Sequence, residues 1–331
     1  MLRRAMLSII LASMLFAGGA GPSRADTLSL RAVNEAQLSG TAQPDQPSPV
    51  LLKAQVLLAR LDISPGQIDG RWGDNARRAA TEFQRVHHIE ATGNLDEATW
   101  NELAKSSAEP ALVEYQISPE DMKGPFEAQL SDDMRALARL RWVGYRNAEE
   151  QIAAKFHVAQ DVLRLLNPDK HLDRAGETIV VPKIDVRGPL AQVALVAKIE
   201  IDKQNREVRA LGADGEVVAF YPASIGSGQK PSPSGSYKVS RIIRNPTYRY
   251  NPKFEVEPVD IKTRLNIAPG PNSPVGLVWI DFSKPSYGIH GTPDPGSVGV
   301  ASSHGCVRLT NWDALDLARR VRRGTEIVFM E

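Results

Sequence analysis

The chain has 331 residues, with 40 lysines and arginines against 39 aspartates and glutamates, so its formal net charge is only +1. A surface this close to neutrality argues against nucleic acid or an anionic membrane as a partner, since both bind basic surfaces. The single cysteine excludes an intramolecular disulfide, so stability must come from packed hydrophobic cores, and the length is sufficient for two or three of them.

The first 25 residues are typical of a cleavable export signal. Arg3 and Arg4 form the positive end, residues 6–17 are largely apolar, and residues 23–25 form a small-x-small cleavage site. A membrane anchor would need about twenty apolar residues, more than this core provides. No cysteine lies near the cleavage site, which excludes lipid attachment there. We expect a mature chain that starts at Asp26 and lies in the periplasm.

Residues 49–104 predict a small module of three helices, preceded by a flexible polar leader over residues 26–48. Turn residues separate the helices, and residues 96–103 can form the third one. Apolar residues recur at i, i+3, i+4 and i+7 in two runs, Ala54, Leu57, Leu58 and Leu61, then Ala76, Ala79, Ala80 and Phe83.

Residues 105–184 divide into two parts. Residues 105–141 are rich in Ser, Glu, Pro and Asp, and they predict a linker that contains one charged amphipathic helix. Residues 142–184 contain two short amphipathic patterns followed by the strand-like run 178–182. They predict a small α+β unit.

Residues 190–331 predict a mainly β domain. One helix pattern follows Thr310, its predicted N-cap. Many strands and one helix indicate a β-sandwich-like fold within a multidomain chain. The Pro-rich segment 244–276 is long enough to be functional, and we expect it to form a flap beside a substrate cleft. The predicted strands are residues 193–201, 207–211, 217–223, 237–243, 278–282 and 327–330.

The stretch from Tyr287 to Asp313 carries the chemistry. It contains Cys306 and two histidines, His290 and His304, among small residues that let a substrate backbone approach. A neighbouring imidazole can take the proton of a thiol, so Cys306 is a candidate nucleophile. Two alternatives remain: Cys306 is inert packing, or these three side chains bind zinc with Asp281 or Asp294 as a fourth ligand.

These motifs resemble the YkuD type of L,D-transpeptidase. The resemblance is carried by Ile-His-Gly-Thr at 289–292 and Ser-His-Gly-Cys-Val-Arg-Leu at 303–309, with further similarity at 231–235 and 269–276. It covers residues 190–331. It implies a cysteine acyl-enzyme that is formed on a peptidoglycan stem tetrapeptide with release of D-alanine, without a metal or other cofactor.

The resemblance also implies roles for individual residues. His290 matches the family's base, and the carbonyl of Gly291 orients its ring; His304 is the alternative catalytic histidine, since the sequence alone does not separate the two roles. The backbone N–H groups of His304, Gly305 and Cys306 are expected to form the oxyanion hole. Residues beside them are expected to shape the loop or contact substrate: Ser303 and His304 shape the loop, Arg308 binds a stem carboxylate or braces the loop, and Tyr287 lies on the substrate side.

The two preceding units carry resemblances of their own. Residues 49–104 resemble the three-helix peptidoglycan-binding domain, although Asn75 stands where that family usually has Thr. The motif that carries this resemblance consists of Gln55, Asp69-Gly70, Trp72-Gly73, Phe83-Gln84, Thr92-Gly93 and Thr99-Trp100. Residues 142–184 resemble a LysM-like domain, although residues 147–149 replace its usual Gly-Asp-Thr. Each unit either binds wall glycan and peptide or only supports the catalytic domain.

The acceptor of the acyl group stays open at this point. A neighbouring stem peptide would give a 3→3 cross-link, and an outer-membrane protein, a D-amino acid or water are alternatives. We expect covalent inhibition by carbapenems. The rival interpretations are a non-catalytic wall-binding scaffold, an L,D-carboxypeptidase and a zinc amidase.

Overall fold

The computed structural model describes residues 28–39, 45–184, 193–252, 260–303 and 305–331. The predicted export signal, His304 and residues 253–259 of the predicted flap therefore lie outside the described residues. Within the described ranges, no helix is both long and apolar enough to cross a membrane.

The N-terminal helical module contains α2 (Pro49–Arg60), α3 (Asp74–Val86) and α4 (Glu97–Lys105). Ser48 caps α2 and Asp96 caps α4, each accepting a hydrogen bond from a backbone N–H three residues later. The helices lie where the apolar periodicity predicts them, and they enclose a core that includes Phe83 and Trp100.

Two buried glutamines hold the turns of this module. The side chain of Gln55 accepts from the backbone N–H of Asp69 and Gly70, and it donates to the carbonyl of Arg71 at 2.9 Å. The side chain of Gln84 accepts from Gly93 N at 2.8 Å and donates to Thr99 Oγ1 at 2.7 Å. The polar residues of the sequence pattern therefore satisfy buried backbone groups inside the module.

The predicted leader is partly folded. Helix α1 (Leu30–Asn34) lies within it, and Val33 is fully buried in the core of the α+β unit. The Asn34 side chain exchanges two hydrogen bonds with the backbone of Leu112, at 2.8 and 3.0 Å. The prediction of a flexible leader is therefore wrong for this segment, because a side-chain pairing with a distant strand orders it.

The α+β unit begins earlier than predicted. It is built from β1 (Leu112–Gln116), α6 (Ala148–Lys155), α7 (Gln160–Leu166) and β2 (Thr178–Pro182). Strand β1 pairs antiparallel with β2 along its whole length, although it lies in the predicted linker. The predicted linker helix is reduced to α5 (Met134–Leu137).

The C-terminal domain is mainly β, as predicted. Its nine-stranded sheet has the order β5-β4-β3-β13-β7-β10-β11-β12-β6, and only the β3–β13 and β11–β12 pairs are parallel. The strands are β3 (Lys198–Asp202), β4 (Glu207–Leu211), β5 (Val217–Pro222), β6 (Ser224–Ile225), β7 (Gly235–Arg244), β10 (Val278–Phe282), β11 (Gly288–His290), β12 (Val307–Arg308) and β13 (Glu326–Met330).

The long strand β7 joins the two halves of this sheet. Residues 235–238 pair with β13, and residues 239–244 pair with β10. One hydrophobic core contains residues from both halves together with helix α8 (Asn311–Arg320), which follows the nucleophile stretch as predicted. Thr310 caps α8 by accepting from Asp313 N at 3.1 Å.

Part of the predicted flap is a separate ribbon. Strands β8 (Tyr248–Tyr250) and β9 (Leu265–Ile267) pair antiparallel, and they share a small hydrophobic cluster with α5 and Val143. Tyr250 is buried. The described part of this segment therefore packs against the α5 region.

The helical module covers the edge of the nine-stranded sheet that is formed by β5. The backbone N–H of Ser64 donates to the carbonyl of Phe220 in β5, and the N–H of Phe220 donates to the carbonyl of Asp62, both at 2.9 Å. The Phe220 side chain is fully buried in the core of the module. An exposed edge strand is thus closed by a segment of the same chain.

A buried ion cluster crosses the same boundary. The Arg320 side chain is fully buried and contacts Asp316 at 2.8 Å within α8 and Asp62 of the module at 3.0 Å. Tyr221 donates a hydrogen bond to Asp316 at 2.7 Å. A buried guanidinium is tolerated only when carboxylates and hydrogen bonds compensate its lost hydration. This cluster therefore makes the relative position of module and catalytic domain specific.

Replacing Arg320 with Met should destabilise the protein, because two partly buried carboxylates lose their cation. We expect the free energy of unfolding to fall by about 3 kcal/mol, measured by urea unfolding followed through tryptophan fluorescence. The exposed Arg323 provides the control, and Arg323→Met should change the free energy by less than about 0.5 kcal/mol. Equal unfolding midpoints for the two variants would show that the cluster contributes little.

Candidate active site

The parallel pair β11–β12 brings the candidate catalytic residues to one face of the sheet. Ile289 lies opposite Val307, and both side chains are fully buried in the main core. Side chains alternate along a strand, so His290 and Cys306 both turn away from that core, to the opposite face. His290 is the last residue of β11, and Cys306 directly precedes β12, so the pairing brings together two residues that are separated in the chain.

The His290 ring is held from two sides. Its Nδ1 lies 2.7 Å from the carbonyl oxygen of Gly291, so Nδ1 carries the proton and Nε2 is the unprotonated acceptor. The Trp279 ring stacks on the imidazole with centroids 5.2 Å apart and planes 11° apart. The ring is buried, and its tautomer and plane are fixed before any substrate arrives.

Burial keeps this histidine neutral. Desolvation lowers the pKa of His290 to about 4, although the hydrogen bond to the Gly291 carbonyl opposes the shift. The positive charge of Arg308, which lies opposite His290 in the strand pair, lowers this pKa further. At neutral pH the ring is therefore an uncharged base.

The Cys306 thiol is half-buried, and its Sγ lies 3.9 Å from the carbonyl oxygen of Ser286. Burial raises the pKa of the thiol, and a backbone hydrogen bond from Gly288 and the charge of Arg308 offset only part of this effect. The resting site thus contains a neutral thiol and a neutral imidazole.

The loop before the nucleophile is braced by its own side chains and by a neighbouring loop. Ser303 is buried, its hydroxyl donates to the carbonyl of Cys306, and it accepts from Gly305 N at 3.2 Å. Ser232 donates to the carbonyl of Gly305 at 2.8 Å, and Gly226 O accepts from Ser303 N at 3.3 Å. The loop 226–232 therefore forms a wall of the site.

One predicted oxyanion donor is already engaged. The Gly305 N–H donates to the Ser303 hydroxyl at 3.2 Å in this structure, and its predicted role in the oxyanion hole stays a prediction. Gly305 has φ +103°, a conformation that side chains rarely adopt, and a Cβ there would lie 2.9 Å from Cε1 of Tyr287. Tyr287 therefore lies directly against the nucleophile loop.

The sequence analysis missed two residues of this site. Trp279 carries no motif, and only its strand position could have placed it opposite His290. Asn311, the first residue of α8, accepts from Leu277 N at 3.0 Å and donates to the carbonyl of Pro271 at 2.9 Å. It therefore connects α8 to the segment 269–276.

Metal ligands do not cluster in the part of the chain that is described. Outside residues 1–27, 40–44, 185–192, 253–259 and 304, no three His, Cys, Asp or Glu side chains converge on a point. Asp281, one candidate for a fourth zinc ligand, instead pairs with Arg241 at 3.1 Å.

Comparisons with known proteins identify the families that two parts of this chain match. Residues 197–329 match the model of the L,D-transpeptidase catalytic domain, YkuD, and residues 48–103 match that of a "Putative peptidoglycan binding domain". The "Putative L,D-transpeptidase YkuD" of Bacillus licheniformis is 31% identical over 180 residues, which cover 54% of this chain and 90% of that protein. The "Probable L,D-transpeptidase YbiS" of Escherichia coli K12 is 27% identical over 187 residues, 55% of this chain and 60% of that protein.

The solved structures that align with this chain are more distant. A faropenem-derived adduct of L,D-transpeptidase 3 from Mycobacterium tuberculosis aligns with 47% of this chain and 75% of its own, with a TM-score of 0.32 and 17% identity. The L,D-transpeptidase of Xylanimonas cellulosilytica aligns with 89% of this chain and 100% of its own, with a TM-score of 0.38 and 15% identity. The assignment therefore rests on the sequence relatives: this chain belongs to the YkuD family of L,D-transpeptidases.

Proposed function

We propose that this protein is a peptidoglycan L,D-transpeptidase in which Cys306 forms the acyl-enzyme. The observation that carries the proposal is the shared face of His290 and Cys306, with the ring tautomer set by the Gly291 carbonyl. A base oriented in this way, with a nucleophile directly before the neighbouring strand, has the arrangement of a catalytic triad whose third member is a backbone carbonyl.

The first half-reaction consumes the donor stem. His290 Nε2 takes the proton of the Cys306 thiol as sulfur attacks the carbonyl that joins the third stem residue to the terminal D-alanine. The C–S bond forms and the C–N bond breaks, and the imidazolium returns its proton to the departing D-alanine amine. The products are a thioester on Cys306 and free D-alanine.

The second half-reaction transfers the acyl group to an amine. The amine attacks the thioester, loses its proton to His290, and expels the thiolate, which is reprotonated. A side-chain amine of a neighbouring stem gives a 3→3 cross-link. An amine on an outer-membrane protein or a D-amino acid gives an anchored or exchanged product, and attack by water makes the enzyme an L,D-carboxypeptidase.

The negative charge that develops on the oxygen of the attacked carbonyl needs hydrogen-bond donors close to Cys306 Sγ. The N–H of Cys306 is our first choice, because that of Gly305 is engaged by Ser303. A change of the Ser303 χ1 rotamer, which would move Oγ away, would release the Gly305 N–H as a second donor. Arg308 and Tyr287 remain our candidates for contacts with the stem peptide.

We assign the helical module to attachment on peptidoglycan and the α+β unit to a LysM-like role on the glycan. The similarity of residues 48–103 to a peptidoglycan-binding domain supports the first assignment. The strand–helix–helix–strand order of β1, α6, α7 and β2 supports the second. Export to the periplasm is part of the same proposal, since peptidoglycan lies outside the cytoplasm.

Two rival functions fit this protein less well. A wall-binding scaffold has no physical use for a thiol and an oriented imidazole on one face of the sheet. A zinc amidase would require stoichiometric metal in the purified protein.

We also expect carbapenems to acylate Cys306, an inference supported by relatives such as the M. tuberculosis enzyme that is described in complex with imipenem.

The protonation state of the pair gives a first test. Because burial raises the pKa of Cys306 and lowers that of His290 to about 4, both groups are neutral between pH 5 and 8, and the thiol should react with iodoacetamide slowly in this range. The alkylation rate should rise about tenfold per pH unit up to pH 9, as thiolate appears. Mass spectrometry follows the label at this single cysteine. A rate plateau that extends down to pH 5 would instead indicate a preformed thiolate–imidazolium pair.

The second test is turnover of purified disaccharide-tetrapeptide. The wild-type protein should release D-alanine and form a dimer that lacks it, and Cys306→Ala should do neither while keeping the wild-type unfolding midpoint. Release without a dimer would indicate a carboxypeptidase or a missing acceptor. Turnover or carbapenem acylation in Cys306→Ala would overturn the assignment of the nucleophile.

The third test concerns attachment to the wall. The Cys306→Ala protein should sediment with purified sacculi, and removal of residues 49–104 should weaken that sedimentation. The deletion exposes Phe220, which packs inside the module, so it should carry Phe220→Ser. Cys306→Ala with Phe220→Ser in the full chain is the matched control. Unchanged sedimentation of the deletion variant would leave the module a structural role only.

A further inference from the structure

Helix α3 of the helical module reaches the loop that leads to the nucleophile. The Asn75 side chain donates from Nδ2 to the carbonyl of Val298 at 2.7 Å. Arg78, one turn later, donates to Asn75 Oδ1 at 2.9 Å and to the carbonyl of Gly299 at 3.3 Å. Two side chains of the predicted wall-binding module thus bind backbone oxygens between His290 and Cys306.

Gly299 and Asn75 are fitted closely to each other. Gly299 has φ +76°, and a Cβ at this position would lie 2.1 Å from Asn75 Oδ1. A side chain at 299 would therefore be strained and would also displace Asn75. The approach of α3 to the loop depends on this glycine.

The catalytic domain holds the same short segment from its other side. Gly299 N donates to Ser224 Oγ at 3.1 Å, and Arg206 donates to the carbonyl of Val300 at 2.5 Å. We call residues 298–300 the loop anchor. Val300 itself has 61% of its side chain exposed, so its position depends on these polar contacts and not on burial.

The loop anchor is followed closely by another point at which the loop before Cys306 is bonded to the rest of the domain. That point is Ser303, whose N–H donates to Gly226 O at 3.3 Å and whose hydroxyl donates to the carbonyl of Cys306. Only residues 301 and 302 separate the loop anchor from Ser303. A shift of the loop anchor would therefore be transmitted to Ser303 and to the start of β12.

We propose that Asn75 and Arg78 are positioning residues for transpeptidation, acting through the loop anchor on Cys306. The proposal rests on the proposed function and extends it: the module contributes to the rate of the chemical step as well as to attachment. It also assigns a role to Asn75, which stands where the related modules usually have Thr. A misplaced nucleophile lowers the rate without changing what the substrate binds to.

The experiment compares substitutions on α3. Asn75→Asp keeps the size of the side chain and the acceptor for Arg78, but it turns an oxygen towards the carbonyl of Val298. Arg78→Ala removes the second contact. Arg77→Ala is the matched control, because Arg77 is the same residue type on the same helix and bonds to Asn94 within its own module.

The readouts are D-alanine release from disaccharide-tetrapeptide and the thermal unfolding midpoint. We expect Asn75→Asp and Arg78→Ala to lower kcat about tenfold, with KM changed by less than about twofold, because the loop positions the nucleophile and not the substrate. The unfolding midpoint should stay close to that of wild type. Arg77→Ala should leave kcat unchanged. Wild-type kcat in both test variants, or an equal loss in Arg77→Ala, would overturn the proposal.

Hydrogen–deuterium exchange separates this inference from the proposed function. Peptides that cover residues 295–303 should exchange about tenfold faster in Asn75→Asp than in wild type or Arg77→Ala, since a lost anchor lets the loop open. The measurement needs no substrate. Absence of turnover in the wild-type protein would count against the proposed function alone, whereas unchanged exchange in Asn75→Asp would overturn the role of the loop anchor.

Discussion

The parallel pairing of β11 with β12 is the constraint on which the site depends. It turns His290 and Cys306 to one face while Ile289 and Val307 fill the core on the other. Parallel neighbours cannot be joined by a tight turn, so the chain must make a long crossover through residues 291–306. That crossover contains little secondary structure of its own, and it needs contacts from outside to hold the nucleophile. Ser224, Gly226, Ser232 and helix α3 provide those contacts.

The electrostatics of the site follow from how deeply this pair is packed. Trp279 covers the His290 ring and the surrounding strands desolvate the thiol, so both groups rest in their uncharged forms. A neutral thiol reacts slowly with oxidants and unrelated electrophiles, because the thiolate is the reactive form. In the proposed mechanism, transfer of the proton is coupled to attack on a bound carbonyl. Fixing the tautomer through the Gly291 carbonyl means that this transfer requires no prior rearrangement of the ring.

Patterns in the sequence correctly predicted those elements of the fold that depend on residues close together in the chain. The helical periodicity of residues 49–104, the β-branched runs of residues 190–331 and the Thr310 cap all correspond to observed elements. Strand β1 and helix α1 were not predicted, because each is ordered by a partner that is distant in the chain. Strand β1 pairs with β2, which follows it only after helices α5 to α7, and Asn34 of α1 binds the backbone of Leu112. Trp279 and Asn311 were missed for the same reason, since nothing in their own neighbourhoods in the chain indicates which loop they contact.

The same distinction explains how the accessory units relate to catalysis. Their motif residues, such as Gln55 and Gln84, satisfy the backbone inside the module, so the pattern that identifies the unit indicates its internal fold. The packing of the helical module against the catalytic domain is instead determined by other side chains. These side chains either lie outside the motif or, like Asn75, differ from the residue that the family usually has. Phe220 enters the module core, Arg320 pairs with Asp62, and Asn75 binds Val298. On the other side of the domain, Asn272 of the segment 269–276 donates to the carbonyl of Gly144 in the α+β unit. Each contact joins an accessory unit to the catalytic domain, and two of them, at Val298 and Asn272, involve loops of that domain. The loops of the catalytic domain and the two accessory units are therefore parts of one packed structure, and the contact of Asn75 with Val298 gives the helical module a physical route to Cys306.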